Sequence, residues 1–138
     1  MIILRFLRNM ESLQMEKKMR IISDTTDFKI LRPTAVAIGK FDGLHRGHRE
    51  LLEQVLRTKS QGLLCTIFTF DPAPEVLFGK RQSKEITTKE EKRIIFEKMG
   101  ADILIEYPLN EISAAMEPEV FVKEVLKDRM NMSYLAAG

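Results

Sequence analysis

The sequence predicts an α/β domain in which a parallel sheet is flanked by helices. Three observations predict it. Short, near-continuous apolar runs bounded by Pro and Gly recur along the chain, as expected of strands buried on both faces. Between them lie stretches whose apolar residues repeat at helical spacing. Strand and helix patterns alternate, the mark of successive βαβ units.

The first strand is Thr34-Ala35-Val36-Ala37-Ile38, set between Pro33 and Gly39. From Gly47 to Ser60 the residues Leu51, Leu52, Val55 and Leu56 recur at helical spacing, and Gly62 supplies a stop. Leu63 to Phe70 makes a second strand, closed by Asp71-Pro72. Residues 71–86 hold two prolines, Gly79 and several charges, and read as a long loop. Thr88 followed by Glu91 resembles a capping box, opening a helix that runs to Met99 and stops at Gly100. Ile103-Leu104-Ile105 forms a third strand ending near Pro108. Pro118 opens a helix through Asp128, with Val120, Phe121, Val125 and Leu126 inward. Ser133 to Ala137 is the fourth strand. Sheets of this kind bind ligands beyond the carboxyl ends of their strands, which directs attention to residues 39–48.

Composition narrows the function classes. The chain has 138 residues, a net charge of +2, 44% hydrophobic and 30% charged residues, enough for one real core and too apolar for disorder. Residues 1–18 carry four basic and two acidic side chains, so the other 120 carry 18 of each and balance. A duplex nucleic-acid track is therefore not expected, and any anion is handled by a few local groups. One cysteine excludes an internal disulfide, and Cys65 in its apolar run reads as a core residue. No run is long enough for a membrane span; Arg5, Arg8, Glu11 and Glu16 break the apolar start, so a secretory signal is not expected. The expected location is the cytoplasm, with no membrane partner. Residues 1–18 are expected to lie outside the fold and 19–138 to form the domain.

Residues 39–48 read Gly-Lys-Phe-Asp-Gly-Leu-His-Arg-Gly-His and hold both histidines of the chain. Gly39 and Gly43 let the chain reverse after the strand, and Gly47 removes a side chain where an anion would approach. The helix start adds free N–H groups and the positive end of the helix dipole. His45 and His48 above such a turn make a phosphate site. The plainer reading is a glycine-rich turn with two solvated histidines, and spacing alone leaves both open. No G-x-x-x-x-G-K-[ST], G-x-G-x-x-G or G-x-S-x-G motif is present. The Asn131-Met132-Ser133 triplet is read as chance.

His45-Arg46-Gly47-His48 resembles the H-x-G-H signature of nucleotidyltransferases. The ten residues from Gly39 to His48 resemble, more narrowly, the G-x-F-D-G-x-H-x-G-H motif of bacterial FAD synthetases, the bifunctional riboflavin kinase/FMN adenylyltransferases. Thr69-Phe70-Asp71-Pro72-Ala73-Pro74 resembles that family's T-F-[DE]-P-x-P segment. Thr87-Thr88 before Lys89 and Lys92, and Glu119-Val120-Phe121-Val122, match more loosely. The resemblance covers roughly Met19 to Gly138.

The resemblance implies a Rossmann-like nucleotidyltransferase fold, incomplete at its C-terminal side. It implies transfer of AMP from MgATP to FMN, giving FAD and pyrophosphate, with nucleotides and flavin as the small-molecule partners. His45 and His48 would be the catalytic pair. Gly39, Lys40, Phe41, Asp42, Gly43, Arg46 and Gly47 would form the nucleotide site. Phe70, Asp71, Pro72 and Pro74 would flank the flavin. Asp42 is read as a cap of the turn before an indirect Mg²⁺ ligand, and no residue as a direct metal ligand; Arg49 reads as a solvated position. Three departures stand out: Lys40 replaces Asn or Ser, Ala73 replaces a polar residue, and the family's G-x-D-F-x-F-G and I-S-S-[ST]-x-x-R segments and kinase domain are absent. The 138 residues alone are therefore expected to make FAD poorly, and to present an uncovered sheet edge open to self-association. The competing readings are another H-x-G-H nucleotidyltransferase, against which the F-D-P-x-P segment argues, and a non-catalytic nucleotide-binding remnant.

Overall fold

Alternate residues of Thr34–Ile38 feed two separate cores, and this arrangement organises the fold. Ala35 and Ala37 lie in one apolar cluster, while Val36 and Ile38 pack in the other. A strand buried on both faces has to sit between two helical layers. The computed structural model describes residues 18–41, 46–72 and 87–137, with 46–48 as backbone only. Residues 1–17, among them nearly all of the expected N-terminal extension, lie outside that description.

The strands are β1 (Arg20–Ser23), β2 (Thr34–Ile38), β3 (Leu64–Asp71), β4 (Ile103–Pro108) and β5 (Met132–Ala137). All pair in parallel in the order β1-β4-β3-β2-β5. The expectation of four strands is corrected to five. The unforeseen β1 is a short edge strand of two apolar and two polar residues, pairing with β4 alone and leaving Ile21 exposed. Such a segment carries little hydrophobic pattern, and its place is set by backbone pairing to β4.

Helix α1 (Arg46–Arg57) follows β2, and a 3₁₀ turn (Thr58–Gln61) closes it at Gly62, whose φ of 81° is left-handed. The expected helix through Ser60 thus tightens at its last turn. Helix α2 (Lys89–Met99) begins at Thr88, whose Oγ1 accepts from the Glu91 N–H at 3.1 Å, and ends at Gly100. A single turn, α3 (Glu111–Ala114), precedes α4 (Pro118–Val120). The expected helix from Pro118 continues as a π-helix, Phe121–Arg129; the Met130 N–H bonds to the Val125 carbonyl, one residue wider than α geometry.

One core holds Phe41, Leu51, Leu52, Val55, Ile67, Phe96 and Leu104, beneath α1 and α2. The other holds Ile22, Val36, Phe68, Ile105, Val125, Leu126 and Met130, beneath the π-helix. The chain therefore steps from β2 to β3 to β4 along one face, then crosses the other face to set β5 beside β2. The order reverses between β2 and β5, and in doubly wound sheets that is where a crevice opens beyond the carboxyl ends.

Candidate functional site

The turn leaving β2 is fixed by backbone and by core packing. The Gly39 N–H donates to the Phe68 carbonyl of β3 at 3.2 Å, extending the ladder one residue past Ile38. Phe41 follows at φ 55°, a left-handed conformation costly for an aromatic residue. Its ring is fully buried and meets Phe96 of α2 edge to face, with centroids 5.6 Å apart. A Cβ on residue 39 would lie 3.0 Å from the Phe41 ring, which explains why this position suits glycine. Phe41, expected to shape the nucleotide pocket, turns its ring into the core and anchors the turn from beneath.

Lys40 stands half-exposed between these two, and its carbonyl accepts from Lys92 Nζ of α2 at 3.4 Å. Asp42, Gly43 and His45 lie outside the described residues. Arg46, Gly47 and His48 form the first turn of α1 in backbone terms, and Arg49 is exposed after them. That helix starts at the carboxyl side of the sheet, directly after the turn from β2.

The second motif segment lies on the neighbouring strand. Phe70 lies in β3 as expected, and Asp71, expected to open the loop, extends that strand, because β3 pairs with β4 through Asp71↔Pro108. Phe70 is half-buried in an aromatic group with Phe68, Tyr107 and Phe121, on the face away from Phe41. Asp71 bonds to Lys89 Nζ at 2.6 Å, and its carbonyl accepts from the Leu109 N–H at 2.9 Å. The Asp71-Pro72 peptide is cis. Ala73 and Pro74 lie outside the described residues.

Helix α2 joins the two segments, and its role was not read from the sequence. Glu106 of β4 is only 4% exposed, and its carboxylate takes two hydrogen bonds from Arg93 while Lys89 lies 3.9 Å away. Lys89 and Arg93, one turn apart, thus bind the first turns of α2 to the ends of β3 and β4. Three residues beyond Arg93, Phe96 holds Phe41. The hydrogen bond to Asp71, aided by the charges of Asp71 and Glu106, holds the Lys89 ammonium above its usual pKa against a smaller opposing effect of burial. Arg93 is likewise raised, by its bond to Glu106. The available signal was Glu106 itself, the one charge in the run Ile103 to Tyr107.

Together these features define an α/β domain of the nucleotidyltransferase-like Rossmann type, with its motif turn at the carboxyl end of β2. The FAD synthetase family model matches residues 27–138, and the chain belongs to that family. It is 32% identical over 112 residues to the bifunctional riboflavin kinase/FMN adenylyltransferase of Buchnera aphidicola, covering 80% of this chain and 36% of that protein. It is 32% identical over 111 residues to a FAD synthetase of Listeria monocytogenes, covering 78% and 44% respectively. The putative bifunctional enzyme of Geobacillus thermodenitrificans is 33% identical over 93 residues, covering 67% and 51%. The chain thus spans about a third to a half of the length of these curated relatives. A crystal structure of a macrolide-efflux protein from Streptococcus pneumoniae superposes with a TM-score of 0.73 over 88% of this chain and 41% of that one, at 21% identity, a likeness of fold alone. Among the described residues no helix is long and apolar enough to cross a membrane.

Proposed function

We propose that this chain carries the adenylyl-transfer site of an FMN adenylyltransferase. In that reaction a phosphate oxygen of FMN attacks the α-phosphorus of ATP. The bond from that phosphorus to the bridging oxygen breaks, and pyrophosphate leaves with its electron pair. No covalent enzyme intermediate is required, so the residues act by holding and neutralising phosphates. His45 and His48 donate hydrogen bonds to the ATP phosphates as charge moves toward the leaving group. Gly43 and Gly47 give the phosphates access to backbone N–H groups at the start of α1. In this reading Asp42 is assigned to capping the turn, and Lys40 and Arg46 to adding positive charge for the phosphates. Phe70, Asp71, Pro72 and Pro74 border the flavin side.

Mg²⁺ comes with ATP as part of the substrate, where it offsets phosphate charge. The observation that carries the reading is the motif of residues 39–48, which leaves the carboxyl end of β2 and enters α1 at Arg46, with the Thr69–Asp71 end of β3 on the adjoining strand. For the 138 residues assayed alone we propose binding of ATP and FMN with slow transfer.

Calorimetric titration with ATP, CTP and FMN in separate runs tests the proposal. Binding of ATP and FMN, with CTP at least about tenfold weaker, is expected. Equal binding of ATP and CTP, or no binding of FMN, would overturn it.

A further inference from the structure

At the opposite end of the sheet, a cavity of about 480 Å³ opens among the amino ends of β1, β3 and β4 and the segment that precedes β2. Its volume lies within the range of pockets that hold small organic ligands. Ile30, Leu64 and Ile103 supply an apolar floor. Four cations, Lys18, Arg20, Lys29 and Arg32, line it against one acid, Asp102. That acid is already engaged: one carboxylate oxygen accepts from the Cys65 N–H at 2.8 Å, and the other pairs with Lys59 at 3.5 Å. Among the described residues none of the four cations has an ion-pair partner, and Arg32 makes only a 3.5 Å bond to the Gly62 carbonyl.

The wall is a fixed one. The Ile30 N–H donates to the Arg129 carbonyl at 2.7 Å, and Asn131 Nδ2 donates to the Leu31 carbonyl at 2.9 Å. Ile30 is almost fully buried. Arg20 and Ile103 are register partners across β1 and β4, so one cation and the floor are held on adjacent strands. Four like charges gathered around a depression whose one lining acid is already engaged create a local positive field in a chain of net charge only +2.

We infer that this cavity is a second ligand site, for a phosphorylated organic anion of mononucleotide size, separate from the motif turn. The guanidiniums of Arg20 and Arg32 suit the paired oxygens of a phosphate, and the floor suits a ring or other apolar body. Leu64 and Asp71 stand seven residues apart on β3, so the cavity and the motif end of the sheet are separated by roughly 23 Å. One small ligand does not span both.

The test is a titration of the isotope-labelled full chain with AMP, followed by backbone amide shifts, with inorganic phosphate as a second probe. Saturable shifts at Arg20, Lys29–Arg32, Leu64 and Ile103 are expected. In the variant Arg20→Gln/Lys29→Gln these should weaken by about tenfold or more, while shifts at residues 39–41 and 46–49 stay as they were. Both substituted side chains reach solvent, so the fold should be retained, and the unchanged shifts elsewhere verify it. Shifts confined to the motif turn would overturn the second site and leave the adenylyl-transfer reading standing. Shifts confined to the cavity would do the reverse. Phosphate binding the cavity as tightly as AMP would overturn the organic anion, leaving a bare ionic patch.

Discussion

The Arg93 guanidinium closes on the buried carboxylate of Glu106 through two hydrogen bonds, Nε to Oε2 at 3.1 Å and Nη2 to Oε1, joining α2 to β4. The Glu106 side chain is 5% exposed and that of Arg93 31%, so most of the desolvation falls on the acid. Removing the arginine strands a buried carboxylate with only Lys89 at 3.9 Å. Arg93→Ala should therefore cost about 2 kcal/mol, below the range for fully buried pairs because the arginine is partly solvated. Glu106→Gln, which keeps an acceptor, should cost about 1 kcal/mol. Urea unfolding of the two variants checks the order.

The turn after β2 gives a second prediction. Gly39→Ala would place a methyl group 3.0 to 3.3 Å from three atoms of the Phe41 ring, which is wedged against Phe96 and cannot retreat. The cost should be about 1–3 kcal/mol. Phe41→Ala removes the anchor altogether and should cost about 3–5 kcal/mol. Thermal unfolding measures both, and amide shifts of residues 46–49 should move in each variant if the ring sets the entry to α1.

Cys65 predicts an alkaline loss of stability. Burial pushes its thiol up to about 12, against an ordinary value of 9.0; the charge of Lys59 and the Asp102 hydrogen bond lower it, and the charge of Asp102 raises it. The folded state holds the proton where the unfolded chain releases it. The contribution is thus fully present below about pH 9 and declines as the pH rises through the folded value. The raised Lys89 acts in the same direction, above its own ordinary value of 10.5. Urea midpoints should fall between pH 9 and 11, and Cys65→Ala should flatten the fall. A thiol reagent at pH 8 should leave native Cys65 unmodified and react once the chain unfolds.

What was legible in the sequence shares one property: a local pattern sufficed. The Thr34–Ile38 run between Pro33 and Gly39, the Thr88 cap and the Gly62 and Gly100 stops each announce themselves within a few residues. Strand β1 escaped because Arg20–Ser23 owes its place to a partner strand more than eighty residues away. The π winding of Phe121–Arg129 escaped because its apolar spacing also suits an α-helix. At the site, the motif residues could be read but their support could not. Glu106, Arg93, Lys89 and Phe96 are brought into place only when α2 folds over β3 and β4, and nothing local reveals the left-handed turn that carries the Phe41 ring into the core.

In the proposed reaction the segment from Gly39 to His48 binds the phosphates of ATP. Calorimetric ATP binding to the chain and to its His45→Ala and His48→Ala variants tests it most directly. At least about tenfold weaker binding is expected for each variant, the worth of a lost charge-assisted hydrogen bond, with an unchanged unfolding midpoint. Wild-type affinity in both variants would contradict it and leave the turn a structural feature of the fold.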